Sequence, residues 1–279
     1  MIRTPLPTSL VLIPLVMLGA CSAESDKASD PAPRSSAEAS AQPPAPPAPP
    51  APPAQTPVTA REVHEKNDLY EFDYSYPASA GSVPGLKGLL DKDLDKARSN
   101  LKAEALEGQQ AAKGNGFPYH PYTHSVEWKV VTDMPAWLSL STLVGYYSGG
   151  AHPNYGYDTI LWDRIAGQRR APVDLFASKA ALRGAIRKDF CRELDRQRAK
   201  KRSGPDMGDI PEFSQCIDPT EQTVILGSSN GKAFDRIGVL IGPYAAGPYA
   251  EGSYEVTVPM TQQVLDVVRP EFKPSFVAR

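Results

Sequence analysis

From about residue 61 the chain alternates between two periodicities. In "LYEFDYSYP", Tyr70, Phe72, Tyr74 and Tyr76 fall on one side of an extended segment, with Glu71, Asp73 and Ser75 opposite. This is the period-two signature of a strand with one buried face. Burial accounts for the aromatic stripe as core, and stacking against a sugar is the alternative. Leu86, Leu89, Leu90, Leu94, Ala97, Leu101 and Ala105 then recur at helical spacing, and Gly114 and Gly116 end the run, which predicts one long amphipathic helix. Alternation returns in "VEWKV" (126–130), in "WLSLSTLVGYY" (137–147), where Leu138, Leu140, Val144 and Tyr146 share a face, and in "YGYDTILW" (155–162). Ser178 is placed to cap a helix that carries Leu182, Ile186, Phe190 and Leu194 at four-residue steps. After a loop rich in Gly, Pro and Asp come three short strands, "TVIL", "IGVLI" and "YEVTV", and a small closing helix, "TQQVLDVV". This order predicts an α+β fold, mainly antiparallel sheet with two main helices, in two adjoining subdomains at 61–150 and 151–279.

The first 60 residues follow neither period. Arg3 precedes an apolar run, Leu10 to Leu18, about half the length that spans a bilayer. It is read as a signal peptide over residues 1–20. The run ends in "LGAC", Leu18 to Cys21, which looks like a bacterial lipobox with Cys21 as the lipidated first residue. Several acyl chains, at about 0.8 kcal/mol per buried methylene, would anchor the protein stably to a membrane. Residues 21–60 include "AQPPAPPAPPAPPAQ", whose proline pairs favour polyproline II and predict a spacer rather than a core. Ser22 after the cysteine is the pattern of outer-membrane sorting in a source with two membranes, so an exported protein on the periplasmic face of the outer membrane is expected.

With Cys21 lipidated, the other two of three cysteines, Cys191 and Cys216, form an even pair. In an exported chain a disulfide is the expectation. Net charge is −2 overall, but Lys179 to Arg202 holds ten cations against Asp189, Glu193 and Asp195, leaving +7 there and −9 in the remainder. A solvated helix face is the plain reading of this run, and anionic headgroups or glycan phosphates are the alternative. No nucleic-acid partner is expected.

The candidate chemistry centres on the loop "YYSGGAHPNYGY". Gly149 and Gly150 admit positive φ, and Pro153 biases His152 toward extended backbone, which suits a tight strand connection. His152 and Asn154, with Asp158 or Asp163, are expected to bond backbone groups and lock the loop. A catalytic histidine would need a nucleophile or carboxylate partner, which no local motif marks. "HPYTH" has the His120–His124 spacing of a zinc pair, but Pro121 argues against the helix that such a pair requires. No metal and no cofactor are therefore expected.

The loop, together with "DRIAGQRRAPVDLF" (163–176) and "IGPYAAGPYAEGSYEVTVP" (241–259), resembles the extracellular module of RsiV-like and PdaC-like proteins over roughly residues 62–275. That module joins two domains of unknown function, catalogued as families 4163 and 3298, here corresponding to 61–150 and 151–279. The resemblance implies an α+β module outside the cytoplasm. Its anti-sigma members bind lysozyme, and in others it precedes a polysaccharide deacetylase. This chain is expected to hold no sigma factor and to carry no deacetylase domain of its own. A cationic partner such as lysozyme would dock on acidic surface, for which Asp206, Asp209, Glu212, Asp218 and Glu221 are the candidates. The function expected is a membrane-anchored envelope lipoprotein with a non-catalytic recognition module for lysozyme-like hydrolases or peptidoglycan. The alternative is an enzyme, or an enzyme accessory, acting on cell-wall polysaccharide.

Overall fold

The computed structural model describes residues 60–203 and 211–279. The signal peptide, Cys21 and the linker up to residue 59 lie outside the described residues, as do Asp206 and Asp209. Strands β1 (Arg61–Lys66) and β2 (Tyr70–Tyr76) form a hairpin. A short helix α1 (Ala78–Gly81) and the long helix α2 (Pro84–Asn115) follow, then β3 (Tyr122–Asp133), β4 (Trp137–Tyr147), β5 (Asn154–Asp163) and β6 (Gln168–Arg170). These strands make one six-stranded sheet in sequence order. Every pairing is antiparallel except β2 with β3, which is parallel. A parallel neighbour requires a crossover of a dozen residues or more, and the 32 residues of α2 supply it.

Apolar spacing decides where α2 lies. Leu86, Leu90, Leu94, Leu101 and Ala105 are buried against the aromatic stripe of β2, and Val126, Trp128, Leu138, Leu140, Ile160 and Trp162 extend the same core across the sheet. The stripe is core, since Phe72 is fully buried and Tyr76 is 2% exposed. Pro84 opens the helix, where its missing N–H has no helical acceptor to lose. Gly116, with φ of 71°, closes it in the left-handed conformation that glycine reaches without strain.

A second layer follows. Helix α3 (Lys179–Lys201) starts at Ser178, whose hydroxyl accepts from the Ala181 amide at 3.0 Å. Strands β7 (Thr223–Gly227), β8 (Arg236–Ile241) and β9 (Tyr254–Pro259) form an antiparallel three-stranded sheet, and helix α4 (Gln262–Asp266) follows. Leu182, Ile186, Phe190 and Leu194 of α3 pack on Val224, Ile237, Val239, Val256 and Val258, and Met134, Trp137 and Leu161 join this core from the larger sheet. Strand β7 rests against β3, β4 and β5. The fold is α+β and mainly antiparallel, as the alternation predicts.

The boundary expected between residues 150 and 151 falls inside the β4–β5 hairpin, which ten paired positions hold together. The chain changes sheet after Arg170 instead, and the described residues belong to one compact unit. Strands β1 and β6 have no predicted counterpart. Their sequences, REVHEK and QRR, are polar edge strands that bury little, so no apolar period marks them.

Cys191 on α3 and Cys216 are joined by a disulfide, with Cα atoms 5.5 Å apart. Among the described residues, no helix is long and apolar enough to cross a membrane.

Candidate functional site

The β4–β5 loop turns through Gly149 and Gly150, with φ of 91° and 96°. The Tyr147 hydroxyl donates to the Gly150 carbonyl at 3.2 Å and closes the turn. His152 Nδ1 lies 2.8 Å from the Pro153 carbonyl. A carbonyl only accepts, so Nδ1 carries the proton and Nε2 faces the Tyr244 hydroxyl, 3.5 Å away. The imidazole stacks on Tyr249 with ring centres 4.0 Å apart, and the Tyr249 hydroxyl donates to the same Pro153 carbonyl at 2.7 Å. Tyr155 meets Tyr249 edge-on at 6.2 Å. Among the described residues, the polar partners of His152 are thus a carbonyl and a phenol, not a carboxylate, and the ring is exposed.

This cluster joins "GGAHPN" to "PYAAGPYAEG", two of the three stretches on which the sequence resemblance rests. The second stretch is held from beneath by the basic end of α3. Glu251, its side chain wholly buried, pairs with Arg202 at 2.8 Å and accepts from the Tyr254 hydroxyl. Arg198 donates to the Ala246 carbonyl at 2.9 Å and Lys201 to the Glu251 carbonyl at 2.7 Å, with the Lys201 ammonium 3.9 Å over the Tyr254 ring. Burial pushes the Glu251 carboxyl up, but the hydrogen bonds from Arg202 and Tyr254 outweigh it and hold the group below the ordinary glutamate value. Burial, then the bond to Glu251, pushes the Tyr254 phenol up to about 12. A side chain at Gly247 would collide with the Glu251 carboxylate, so glycine is required there. Tyr244 takes φ of 66° on this loop, a conformation uncommon outside glycine.

Other predicted partners sit elsewhere. Asn154 accepts from the Tyr155 amide at 2.9 Å, within the loop region. Asp158 accepts from the Thr159 amide and from Arg169, and Asp163 accepts from the Ile165 and Ala166 amides and from Arg170. Neither aspartate locks the glycine loop; Asp163 instead caps the turn into β6. Of the three acidic candidates among the described residues, two are paired with α3. Asp218 pairs with Arg183 at 2.9 Å and Glu221 with Lys179 at 3.2 Å, so both neutralise the start of α3. Glu212 is exposed. With Arg187 donating to the Cys216 carbonyl at 3.2 Å, both ends of the basic helix hold loops of the module.

Beside the glycine loop, a cleft of about 470 Å³ opens between α2 and the sheet, lined by Lys96, Asn100 and Glu104 on the helix and Tyr122, His124 and Tyr146 on the strands. The cross-strand register explains its floor. Phe72 pairs with His124, His124 with Tyr146 and Tyr146 with Asn154, one row on the face that α2 covers. The His124 ring lies parallel to Phe72, 6.0 Å away, and burial pulls its pKa below 6.5, so it is neutral at pH 7. As pH falls through 6.5, the unfolded chain takes up a proton that folded His124 resists, so this contribution to stability is lost on acidification. From about pH 7.5 to about pH 5, wild type should lose stability relative to His124→Gln in urea unfolding, and parallel pH profiles would refute the half-buried neutral ring.

His120 lies ahead of β3 and His124 within it, so the pair is not on a helix. One group among the described residues brings potential metal ligands within 4.8 Å, His64, Glu71 and Asp73 on the β1–β2 hairpin. Sequence reasoning missed it because β1 went unrecognised. His64 sits opposite Asp73 at 2.5 Å, a bond that raises its pKa, and Lys66 occupies Glu71 at 2.7 Å. This is a cross-strand ion-pair set on an exposed edge.

Residues 63–155 match the model of a family described as deacetylase PdaC, so the resemblance seen in the sequence holds for β1 through the start of β5. Two solved structures are similar. A DUF3298 family protein of Bacteroides fragilis NCTC 9343 superposes with a TM-score of 0.48 at 18% identity, over 77% of this chain and 94% of that one. A DUF3298 family protein of Pseudomonas aeruginosa PAO1 gives 0.43 at 14% identity, over 80% of this chain and 99% of the other. Among curated proteins, none matches the chain.

Proposed function

We propose that this chain is an exported envelope protein, tethered through a lipidated Cys21, whose folded module recognises peptidoglycan without transforming it. The observation that carries the reading is the partner set of His152. Its ring is stacked on Tyr249 and bonded to a carbonyl and a phenol, contacts that fix the shape of a surface and that include, among the described residues, neither a carboxylate to strengthen the imidazole as a base nor a serine or cysteine for it to activate. The PdaC-family match over residues 63–155 agrees with an extracellular module, and the deacetylase in that family's description is the rival activity for this chain. Lysozyme is the weaker ligand, because Asp218 and Glu221 spend their charge on α3 and leave less acidic surface for a cationic partner.

The detergent-solubilised full chain should co-sediment saturably with purified sacculi and release no acetate from them. His152→Ala should weaken that binding by disordering the loop. Acetate release that His152→Ala abolishes while the melting temperature stays put would replace this reading with an enzyme. Binding to lysozyme but not to sacculi would replace the ligand. In cells, Cys21→Ser should move the protein from the membrane to the soluble exported fraction, and an unchanged membrane fraction would remove the tether.

A further inference from the structure

We infer that the cleft between α2 and the β3–β4 strands is a binding site for an uncharged pyranose oligomer, a deepening that rests on the glycan reading above. Three features of the cleft point to a ligand. The first is Tyr146, which continues the stripe of buried Leu138 and Leu140 and half-buried Val144 yet remains 45% exposed. Alternation puts its ring on the core face, but α2 leaves it uncovered. An aromatic ring on the floor of a concave, partly polar cleft is the common anchor of small-ligand sites.

The second is Gly108, in the interior of α2, where glycine costs about 1 kcal/mol relative to alanine. A side chain there would collide with the Tyr122 phenol, so the vacancy seats that ring along the helix at the cleft. An intrinsic cost in the helix is thus spent on the position of one cleft-lining tyrosine.

The third is the helix wall. Lys96, Asn100 and Glu104 recur every four residues, so they form one row rising about 6 Å per step, opposite the aromatic row of Tyr122, His124 and Tyr146. One wall offers ring faces for the C–H surface of a sugar, and the other a donor, an amide and an acceptor for its hydroxyls. Neutral His124 adds a further donor or acceptor between them. A polyanion is disfavoured because Asp93 and Glu104 both line the cleft, with Lys96 as the cation among its lining residues. The volume of about 470 Å³ lies in the range of small-ligand sites.

The test uses the full chain in detergent and two soluble probes, a β-1,4-linked N-acetylglucosamine tetramer and a peptidoglycan stem peptide, measured by titration calorimetry. The sugar tetramer should bind and the peptide should not. Tyr146→Ala should weaken the tetramer about tenfold, the loss of one aromatic contact. Gly108→Ala should change its affinity at least fivefold while the melting temperature holds or rises, because alanine favours the helix but displaces Tyr122. Tetramer binding that neither substitution alters would overturn the cleft assignment, as would peptide binding in place of sugar. Co-sedimentation with sacculi but no tetramer binding would sink this site and leave the recognition reading standing. Failure with sacculi and tetramer alike would sink both.

Discussion

Replacing Glu251 with leucine should lower the unfolding free energy by about 3–5 kcal/mol, because it strands the Arg202 guanidinium in the interior without its counter-charge. The Glu251 side chain is fully buried and that of Arg202 is 10% exposed. The carboxylate also accepts from Tyr254, so one substitution breaks a three-residue network. Combining Glu251→Leu with Arg202→Met should recover at least half of the loss, since most of it is the penalty of an orphaned charge and not the net value of the pair. Urea unfolding of the four-member cycle measures this. Equal losses in the single and double variants would show that the network matters for shape rather than charge. The sign with pH is fixed by the depressed carboxyl. The advantage of wild type over Glu251→Gln holds above the unfolded value of 4.5 and is lost as pH falls through the lower folded value. Because Glu251 anchors the loop that carries Tyr244 and Tyr249, Glu251→Leu should also loosen the stack on His152.

Opening the Cys191–Cys216 disulfide should cost about 3.5 kcal/mol, the loop-closure value for a separation of 25 residues. For a module of this size that lowers the melting temperature by roughly 6–12 °C. The bridge ties α3 to the segment from which Asp218 and Glu221 reach Arg183 and Lys179. These exposed pairs contribute little each, so they cannot replace it. Cys191→Ala with Cys216→Ala, or reductant added to wild type, should give the same shift in a thermal melt. A melt insensitive to both, or mass mapping that finds two free thiols, would remove the disulfide from the account.

Elements with an apolar period are legible in the sequence. The stripe Tyr70, Phe72, Tyr74 and Tyr76, the leucine spacing of α2 and the Ser178 cap all stand where local rules put them. Strand β4 matches its sequence reading at both ends. Polar edges were not legible, because β1 and β6 are strands by virtue of their partners alone. The same blindness hid the His64–Asp73 pair. The basic helix is a solvated face over most of its length, and only its C-terminal end departs from that reading. Composition counts Arg198, Lys201 and Arg202 as surface charge, whereas the fold brings the 242–253 loop over them and turns them into its anchors.

By itself the sequence determined periods, caps and turns: which residues face inward, where helices start and stop, and that Gly149 and Gly150 turn a hairpin. These follow from interactions within a few residues of each other, which local chemistry fixes. Only the tertiary structure decided that His152 would stack on Tyr249, that Glu251 would meet Arg202, and that α2 would stop short of covering Tyr146. Those contacts join positions tens of residues apart, and what selects them is how two sheets and two helices share buried area. No single stretch of the chain encodes that.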